Sequence, residues 1–434
     1  MQTKRNDRKP LQARPILIHC GCMRHSRLLL PAVGVLIALF APLGPLGKVK
    51  DSDAALAPPP INTSPGPSYL DRPFQGIPGI ERAPKGRLWA TWYAGGRWEG
   101  PENYVLLVTS ENNGRTWSKP KLVIDPPGYI RAFDPCLWVD PDGRMWLFWA
   151  QGAVQFDGRS GVWEIHTDNP DSPNPEWSAP RRLGNGVMMN KPTVLQNGEW
   201  LLPIAVWSTI EPTVEKIARQ EGLNLSPATI GALTHNLDAE KGSNLLLSKD
   251  KGSTFTRIQG PLIPQSHFDE HMLVERRDGS WWVLVRTKYG IGQSVSFDRG
   301  KTWSPGVDTK IPHANSRFFI RRLRSGRLLL VRHDSPEGMI RSHLVAQLSD
   351  DDGLTWRGKL LLDERKAVSY PDGTEDDKGV IYIIYDRERT KDREILFATF
   401  TEADVLEGAC VSEICRLKQL VNRAGEPMVS EGGF

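Results

Sequence analysis

One eight-residue phrase occurs four times in this chain and limits its fold more than any other feature. The copies begin at Ser110, Ser248, Ser296 and Ser349, and they read Ser-x-Asp/Asn-x-Gly-x-Thr-Trp/Phe. Each copy follows a strand-like apolar run, and the spacing between copies is close to the length of a four-stranded sheet. Such a period is typical of stacked supersecondary units. We therefore predict an array of similar β-sheets.

The residue types of the phrase indicate a tight turn. Asp or Asn at the third position can bond to its own backbone and hold the turn. Gly at the fifth position can take a positive φ without a Cβ penalty. The closing Trp or Phe can bury a large apolar surface between neighbouring sheets. These roles fit a hairpin at the rim of a β-sheet.

The phrase resembles the Asp-box of the sialidase superfamily, which implies an all-β fold. We expect a six-bladed β-propeller of four-stranded antiparallel blades over residues 68–434, although a count of seven stays open. Six apolar runs, each after a Gly- or Asp-containing turn, read as inner blade strands, and a degenerate fifth turn spans 166–177. The strand near 394–400 is expected to close the ring against the N-terminal segment, and 211–240 reads as an inserted helix or loop. Asp-boxes stabilise turns and are not catalytic, so the resemblance of the turns leaves the reaction open.

The first part of the chain differs from the rest. Residues 1–27 are basic and polar, and residues 28–47 are apolar. This arrangement predicts a signal peptide or uncleaved signal anchor over 1–57, followed by a Pro-rich linker over 58–67. A misassigned start codon would also explain the long N-terminal arm. We expect an exported protein, periplasmic or extracellular, with a membrane contact only through the anchor.

Charge and cysteine content exclude some classes of function. The formal charge of +4 is small for 434 residues, which argues against a nucleic-acid partner. Cys410 and Cys415 could form a disulfide in an oxidising compartment, with Cys136 buried as a small apolar residue. The spacing of Cys and His does not predict a zinc site. We expect neither a metal nor an organic cofactor.

The resemblance extends to residues that carry chemistry. Sialidases pair a glutamate with a tyrosine nucleophile and bind the substrate carboxylate with three arginines. Glu270 and Arg286 match the glutamate and the second arginine, Arg341 matches the third arginine, and Tyr370 matches the nucleophile. A free tyrosine has a pKa near 10, so it needs a base such as glutamate, and nearby arginines favour the phenolate. Arginine suits a carboxylate because its fork makes two parallel hydrogen bonds.

Two departures from the family pattern affect this prediction. Gly76 stands where the family has its first arginine. Either Arg72 or Lys191 reaches in to compensate, or the substrate is not a sialic acid, and we favour the second interpretation. The family's acid/base aspartate is also absent, and the matching loop offers Glu99 and Glu102. Glu99 lies between glycines and is the better candidate, because flexible loops often hold catalytic groups, although a solvated loop carboxylate is an equal alternative.

Further polar residues precede the blade strands. Asp134, Lys191, His271 and Arg317 are expected at equivalent positions of blades 2, 3, 4 and 5, and their convergence suggests substrate binding. For each residue alone, a structural role is the more common outcome. Together with Arg72, Arg286 and Arg341, these four complete the predicted substrate-binding set.

The resemblance implies an exo-acting glycoside hydrolase that acts on a glycan or glycoconjugate with a terminal anionic or related sugar. Tyr370 would attack, Glu270 would activate it, and Glu99 would protonate the leaving oxygen. Two alternatives stay open. One is a non-catalytic glycan-binding propeller. The other is a lyase or rhamnosidase-like enzyme that uses His267, His271 or His333.

Overall fold

The structure is a computed structural model that describes residues 56–154, 161–207 and 213–425. All but the last two residues of the predicted signal segment lie outside this part of the chain. Among the described residues, no helix has the length and apolar character needed to cross a membrane.

The described chain forms six antiparallel sheets, arranged as the blades of a propeller. Each blade has four consecutive strands, and the first strands of most neighbouring blades contact one another around the axis. A short strand β1 (Ile61–Asn62) precedes them and pairs with the outer strand of blade 1. Part of the predicted linker therefore belongs to the first blade.

The strands of each blade follow one another along the chain from the axis outwards. Blade 1 contains β2 (Gln75–Arg82), β3 (Leu88–Ala94), β4 (Tyr104–Ser110) and β5 (Leu122–Ile124); blade 2 contains β6 (Ile130–Val139), β7 (Met145–Ala153), β8 (Gly161–Thr167) and β9 (Arg181–Asn185). Blade 3 contains β10 (Thr193–Val194), β11 (Trp200–Val206), β12 (Gly242–Ser248) and β13 (Thr256–Ile258); blade 4 contains β14 (Ser266–Glu275), β15 (Trp281–Thr287), β16 (Gly290–Ser296) and β17 (Val307–Asp308). Blade 5 contains β18 (Phe319–Arg322), β19 (Leu328–His333), β20 (Leu344–Ser349) and β21 (Arg357–Asp363); blade 6 contains β22 (Val368–Glu375), β23 (Ile381–Arg387), β24 (Glu394–Phe400) and β25 (Arg416–Arg423).

The six apolar runs form the second strand of each blade rather than the innermost one. They are β3, β7, β11, β15, β19 and β23, and they are almost continuously buried because both faces pack against a neighbouring blade. The innermost strands carry more polar residues because they face the axial channel. The apolar runs of the sequence therefore identify the second strands, which pack between neighbouring blades.

Each of the four Asp-boxes joins the third strand of its blade to the fourth. In the second copy, Ser248 Oγ donates to Asp250 Oδ1 at 2.9 Å and accepts the amide of Gly252 at 2.8 Å. Thr254 donates to the same carboxylate through its amide at 2.8 Å and its hydroxyl at 2.6 Å. Gly252 has φ +83°, and a Cβ there would lie 2.8 Å from the ring of Trp146 in blade 2. The glycine is needed for the turn and for the contact between blades.

Ring closure uses side chains rather than a shared sheet. Blade 6 consists of C-terminal residues only, and β24, expected to be the closing strand, is followed by β25. Asp386 accepts the amide of Ile77 at 2.7 Å, and Asp372 accepts the amide of Ile80 at 2.9 Å. Two carboxylates of blade 6 therefore complete the backbone hydrogen bonding of blade 1 where no strand partner is available.

The described part of the predicted insertion contains two short helices, α1 (Val214–Gln220) and α2 (Pro227–Leu233), and a 3₁₀ turn at Asp238–Glu240. It joins β11 to β12. A third helix, α3 (Glu402–Glu407), joins β24 to β25. The disulfide between Cys410 and Cys415 lies in the loop after α3, and Cys136 is free and buried, as the sequence predicted.

Candidate active site

The first hairpin has the same length in every blade. The last residue of the first strand pairs with the first residue of the second strand, six positions later, at 82/88, 139/145, 194/200, 275/281, 322/328 and 375/381. The residue five positions before each pair therefore occupies one equivalent place per blade. These six residues, which we name the channel ring, are Ile77, Asp134, Met189, Glu270, Arg317 and Tyr370.

The channel ring corrects the predicted equivalence of the polar residues that start the blades. Asp134 and Arg317 are members of the ring, together with Glu270 and Tyr370. His271 follows the ring position of its blade by one residue, and Lys191 follows by two. Successive side chains of a strand point to opposite faces, and a bulge shifts this alternation. His271 and Lys191 therefore have different surroundings from the channel-ring residues.

Irregular backbone aims several ring residues at the channel mouth. The first strand pair is interrupted by a bulge or irregularity in blades 1, 2, 4 and 6. Asp134 has φ +47° and Tyr370 has φ +53°, and Asp269, directly before Glu270, has φ +44°. Such φ values are unusual for residues other than glycine. Ile77, the apolar ring residue of blade 1, has φ +55° as well, so the conformation belongs to the bulge that these blades share.

A phenol, a carboxylate and a guanidinium make direct contact at the centre of the site. The hydroxyl of Tyr370 donates to Oε1 of Glu270 at 2.8 Å. Nη1 of Arg286 donates to the same carboxylate oxygen at 2.6 Å and to the phenol oxygen at 2.8 Å. Tyr370 comes from blade 6 and the other two from blade 4, and all three are buried. The structure brings together the residues that the family resemblance selected.

The phenol is protonated at rest. Burial raises the pKa of Tyr370 to about 12 and outweighs the opposing effect of Arg286, Arg341 and Arg389. The arginines favour the phenolate but do not by themselves produce it, so the base that the sequence analysis called for is required. Within the described chain, Oε2 of Glu270 is buried without a hydrogen-bond partner, so this carboxylate keeps an acceptor free.

Asn315 links the predicted second and third arginines. Its side-chain oxygen accepts from Nε of Arg286 at 2.7 Å, and its backbone oxygen accepts from Nη2 of Arg341 at 3.1 Å. The guanidinium of Arg341 lies 5.4 Å from the centre of the Tyr370 ring. His267 also contacts Asn315, at 3.1 Å, and burial lowers its pKa. Asn315 was not identified from the sequence.

Arg389 is the second residue that the sequence did not reveal. It follows β23, and its guanidinium lies 4.3 Å from the centre of the Tyr370 ring. Nε donates to Asp386 at 2.9 Å, and Nη1 donates to Glu99 at 2.6 Å. Glu99 thus reaches the site as predicted, but as the partner of an arginine. The sequence signal was indirect: Asp386 is the second-last residue of β23, as Arg286 is of β15, and its carboxylate would attract a cation.

Two other ring residues surround the cluster. Arg317 donates to the backbone oxygens of Met189, Pro78 and Tyr370, each at 2.9 Å, so its donors hold the channel wall together. Asp134 is buried, and burial, with a further contribution from Glu99, raises its pKa to about 7. Its Oδ1 has no hydrogen-bond partner among the residues that the structure describes. Arg317 positions Tyr370, and Asp134 keeps one buried carboxyl oxygen without a partner beside the cluster.

Neither residue that was expected to compensate for Gly76 reaches the mouth. Lys191 donates to the backbone oxygens of Ile80 and Leu137, each at 2.6 Å, and lies between two carboxylates deeper in the channel. Arg72 donates to Asn422 at 2.6 Å at the junction of blades 1 and 6. Both bind protein groups with their available donors, so neither is placed to bind substrate.

Two of the three histidines considered for an alternative chemistry are bound to backbone carbonyls. The ring nitrogens of His271 lie 2.8 Å from Asp269 O and 2.7 Å from Asn244 O. Nε2 of His333 lies 2.8 Å from Val368 O, and burial lowers the pKa of this imidazole to about 4. These contacts stabilise loops and leave His271 without a free nitrogen for a substrate.

Comparison with known proteins agrees with this architecture. Residues 86–383 match the BNR repeat-like domain family. No curated protein sequence matches the chain significantly. A Dyadobacter fermentans protein of unknown function is similar in structure, with 18% identity, a TM-score of 0.54, and coverage of 73% of this chain and 92% of that one.

Other similar structures are sialidases. The Hadza microbial sialidase Hz136 has 17% identity and a TM-score of 0.58, over 76% of this chain and 66% of that one. An intramolecular trans-sialidase from Ruminococcus gnavus, solved with oseltamivir carboxylate, has 14% identity and a TM-score of 0.56, over 80% of this chain and 98% of that one. At these identities the likeness shows the fold alone. Since the family match covers well over half of the sequence, the chain belongs to the BNR repeat-like domain family, and its fold is a six-bladed propeller.

Proposed function

We propose that this protein is an exo-acting glycoside hydrolase of the sialidase type, with Tyr370 as nucleophile. The observation that carries the proposal is the hydrogen bond of 2.8 Å from the Tyr370 hydroxyl to Glu270, with Arg286 donating to both groups. A buried tyrosine of blade 6 and a buried glutamate of blade 4, 100 positions apart in the sequence, are in direct contact. That pairing supplies a nucleophile and its base in one place.

The reaction would proceed in two displacements. The phenol oxygen of Tyr370 attacks the anomeric carbon while its proton passes to Glu270. The bond to the leaving oxygen breaks, and that oxygen takes a proton from Glu99. Because Glu99 rests as the carboxylate partner of Arg389, it must first take up this proton from water. Water then attacks the same carbon and gives a proton to Glu99. The tyrosine leaves with the proton that Glu270 held, and the site returns to its initial state.

The surroundings of the Tyr370 phenol are suited to this two-step reaction. Because the pKa of Tyr370 is raised to about 12, the phenolate would make up only about one part in 10⁵ at neutral pH. Glu270 must therefore take the proton as the bond forms. Arg286 donates to the phenol oxygen and would stabilise the negative charge that develops there.

The test is hydrolysis of a panel of aryl glycosides, including sialosides and uronides, by the wild-type protein and by Tyr370→Phe. The variant should lose activity by about 10³-fold or more. The matched control is Tyr385→Phe, because Tyr385 is also a buried phenol of blade 6, and it donates to Asp363 at 3.0 Å, outside the site. Tyr385→Phe should keep the activity of the folded protein. Full activity in Tyr370→Phe would refute the assignment.

The same panel separates the alternative classes. A wild-type protein that binds a glycan but hydrolyses none of the glycosides would support the binding-module interpretation. A rate profile with a limb below the ordinary imidazole pKa would support a histidine mechanism through His267, whose pKa is lowered by burial and whose Nδ1 lies 3.4 Å from Nη2 of Arg286.

We also propose that the protein acts outside the cytoplasm. The disulfide between Cys410 and Cys415 supports this location because disulfides persist in oxidising compartments. Detection of the chain in the periplasmic or extracellular fraction tests the proposal.

A further inference from the structure

The missing side chain of Gly76 leaves a space that another residue fills. A Cβ at Gly76 would lie 2.6 Å from Cδ, 2.8 Å from Cγ and 2.9 Å from Nε of Arg389. The φ angle of Gly76 lies outside the range that favours glycine, so its backbone could accommodate another residue. The glycine at this position is therefore explained by the space that the stem of Arg389 requires.

The two carboxylate partners of Arg389 differ in how easily a ligand could replace them. Nε donates to Asp386, which is fully buried and also accepts the amide of Ile77. Nη1 donates to Glu99, whose side chain remains 41% exposed. An ion pair with an exposed partner is held weakly, whereas a buried one is costly to break. Glu99 is therefore the partner that an incoming anion would replace.

Arg389 and Arg341 approach the same phenol ring. Their guanidinium carbons lie 4.3 Å and 5.4 Å from the centre of the Tyr370 ring. Among the described residues, Arg341 has no carboxylate partner and donates only to the backbone oxygen of Asn315. Burial lowers the pKa of Arg341, and Arg389 acts in the same direction. A bound anion would relieve this repulsion.

We propose that Arg389 is the substrate-binding arginine that replaces the one absent at Gly76, and that Glu99 is its resting counter-ion, displaced by a carboxylate on the substrate sugar. The inference rests on the proposed function and names the substrate class of that site, a sugar acid. Displacement frees the Glu99 carboxylate, which can then take up a proton from water and donate it to the leaving oxygen. Binding of the substrate carboxylate to Arg389 would then release Glu99 in the same step.

The test is binding, measured by calorimetry, of two sugar acids and their methyl esters. The probes are N-acetylneuraminic acid and methyl glucuronoside. The wild-type protein should bind at least one acid more tightly than its ester. Arg389→Ala should lower that acid-to-ester preference by about 30-fold or more, because it removes a charged donor. Glu99→Gln should bind the acid several-fold more tightly, because no anion has to be displaced.

Two further variants keep the test decisive. Arg387→Ala is the matched control, since Arg387 lies two residues away and pairs with Asp392 and Glu394 instead. It should keep the full preference. Gly76→Ala retains every charge but forces the stem of Arg389 to move, so it should also weaken the preference if Arg389→Ala does not fold.

A wild-type protein with no preference for either acid, or an Arg389→Ala variant that keeps the preference, would overturn the inference. Neither result depends on turnover. Hydrolysis of neutral glycosides that requires Tyr370 would leave the proposed function in place while the inference fails. If the acid preference depends on Arg389 but the protein hydrolyses no glycoside, the inference stands and the proposed function fails.

Discussion

Lys191 provides the sharpest test of which contacts stabilise the centre of the propeller. Nζ of Lys191 donates to Ile80 O and Leu137 O, and it lies 3.2 Å from carboxylates of both Glu81 and Asp372. Only 3% of its side chain is exposed. These contacts join blade 3 to blades 1, 2 and 6. Lys191 is therefore expected to stabilise the fold rather than bind substrate.

Replacing Lys191 by Met keeps the length of the side chain and removes its charge. Glu81 and Asp372 would then remain buried without this cation. Removing one partner of a buried ion pair costs about 3–5 kcal/mol of unfolding free energy. We expect that loss in Lys191→Met. The double variant Lys191→Met/Asp372→Asn should lose less than the sum of the two single changes, because the two groups interact.

The assay is guanidinium denaturation followed by tryptophan fluorescence, since the chain has 15 Trp. Lys249→Met is the matched control, because the Lys249 side chain is 71% exposed and should change the unfolding free energy by no more than about 0.5 kcal/mol. The KM of folded Lys191→Met should equal that of the wild type. A raised KM with an unchanged unfolding free energy would refute the reasoning and return Lys191 to the substrate-binding set.

Two further predictions concern the carboxyl groups of the mouth. The pKa of Asp134 is about 7 in the folded protein and 3.8 ordinarily, so only the folded state keeps this proton between about pH 4 and 7. Wild-type stability should fall by about 4 kcal/mol as pH rises through that window, and Asp134→Asn should flatten this part of the profile; an unchanged slope would contradict the assignment. Glu99→Gln should lower kcat by about 10²–10⁴-fold for alkyl glycosides and much less for 4-nitrophenyl glycosides, whose leaving group needs no acid. Equal losses on both substrates would exclude Glu99 as the proton donor.

The fold could be predicted because its determinants are local. Each Asp-box satisfies its own polar groups within eight residues, as the bonds among Ser248, Asp250, Gly252 and Thr254 show. The equal length of the six first hairpins likewise depends on neighbouring residues. Sequence repeats report such local arrangements directly. The closing of the ring was predicted less well, because Asp372 and Asp386 act on residues about 300 positions away.

The site was predictable only where the family pattern supplied residues in matching places. Glu270, Arg286 and Tyr370 meet, although no local pattern in the sequence relates blade 4 to blade 6. The expected compensation for Gly76 was sought nearby, in Arg72, or in Lys191. The residue that fills the space is Arg389, more than 300 positions along the chain.

The amino-acid sequence alone determined that this protein is a propeller, how its turns are held, and which tyrosine and glutamate to examine, because those features repeat or follow a known pattern. Only the tertiary structure decided which cations face the mouth and which are enclosed in the wall. That distinction depends on which residues of blades 1 and 6 come into contact when the ring of blades closes. A guanidinium or ammonium group can bind a substrate only if buried carbonyls and carboxylates have not already taken all of its donors.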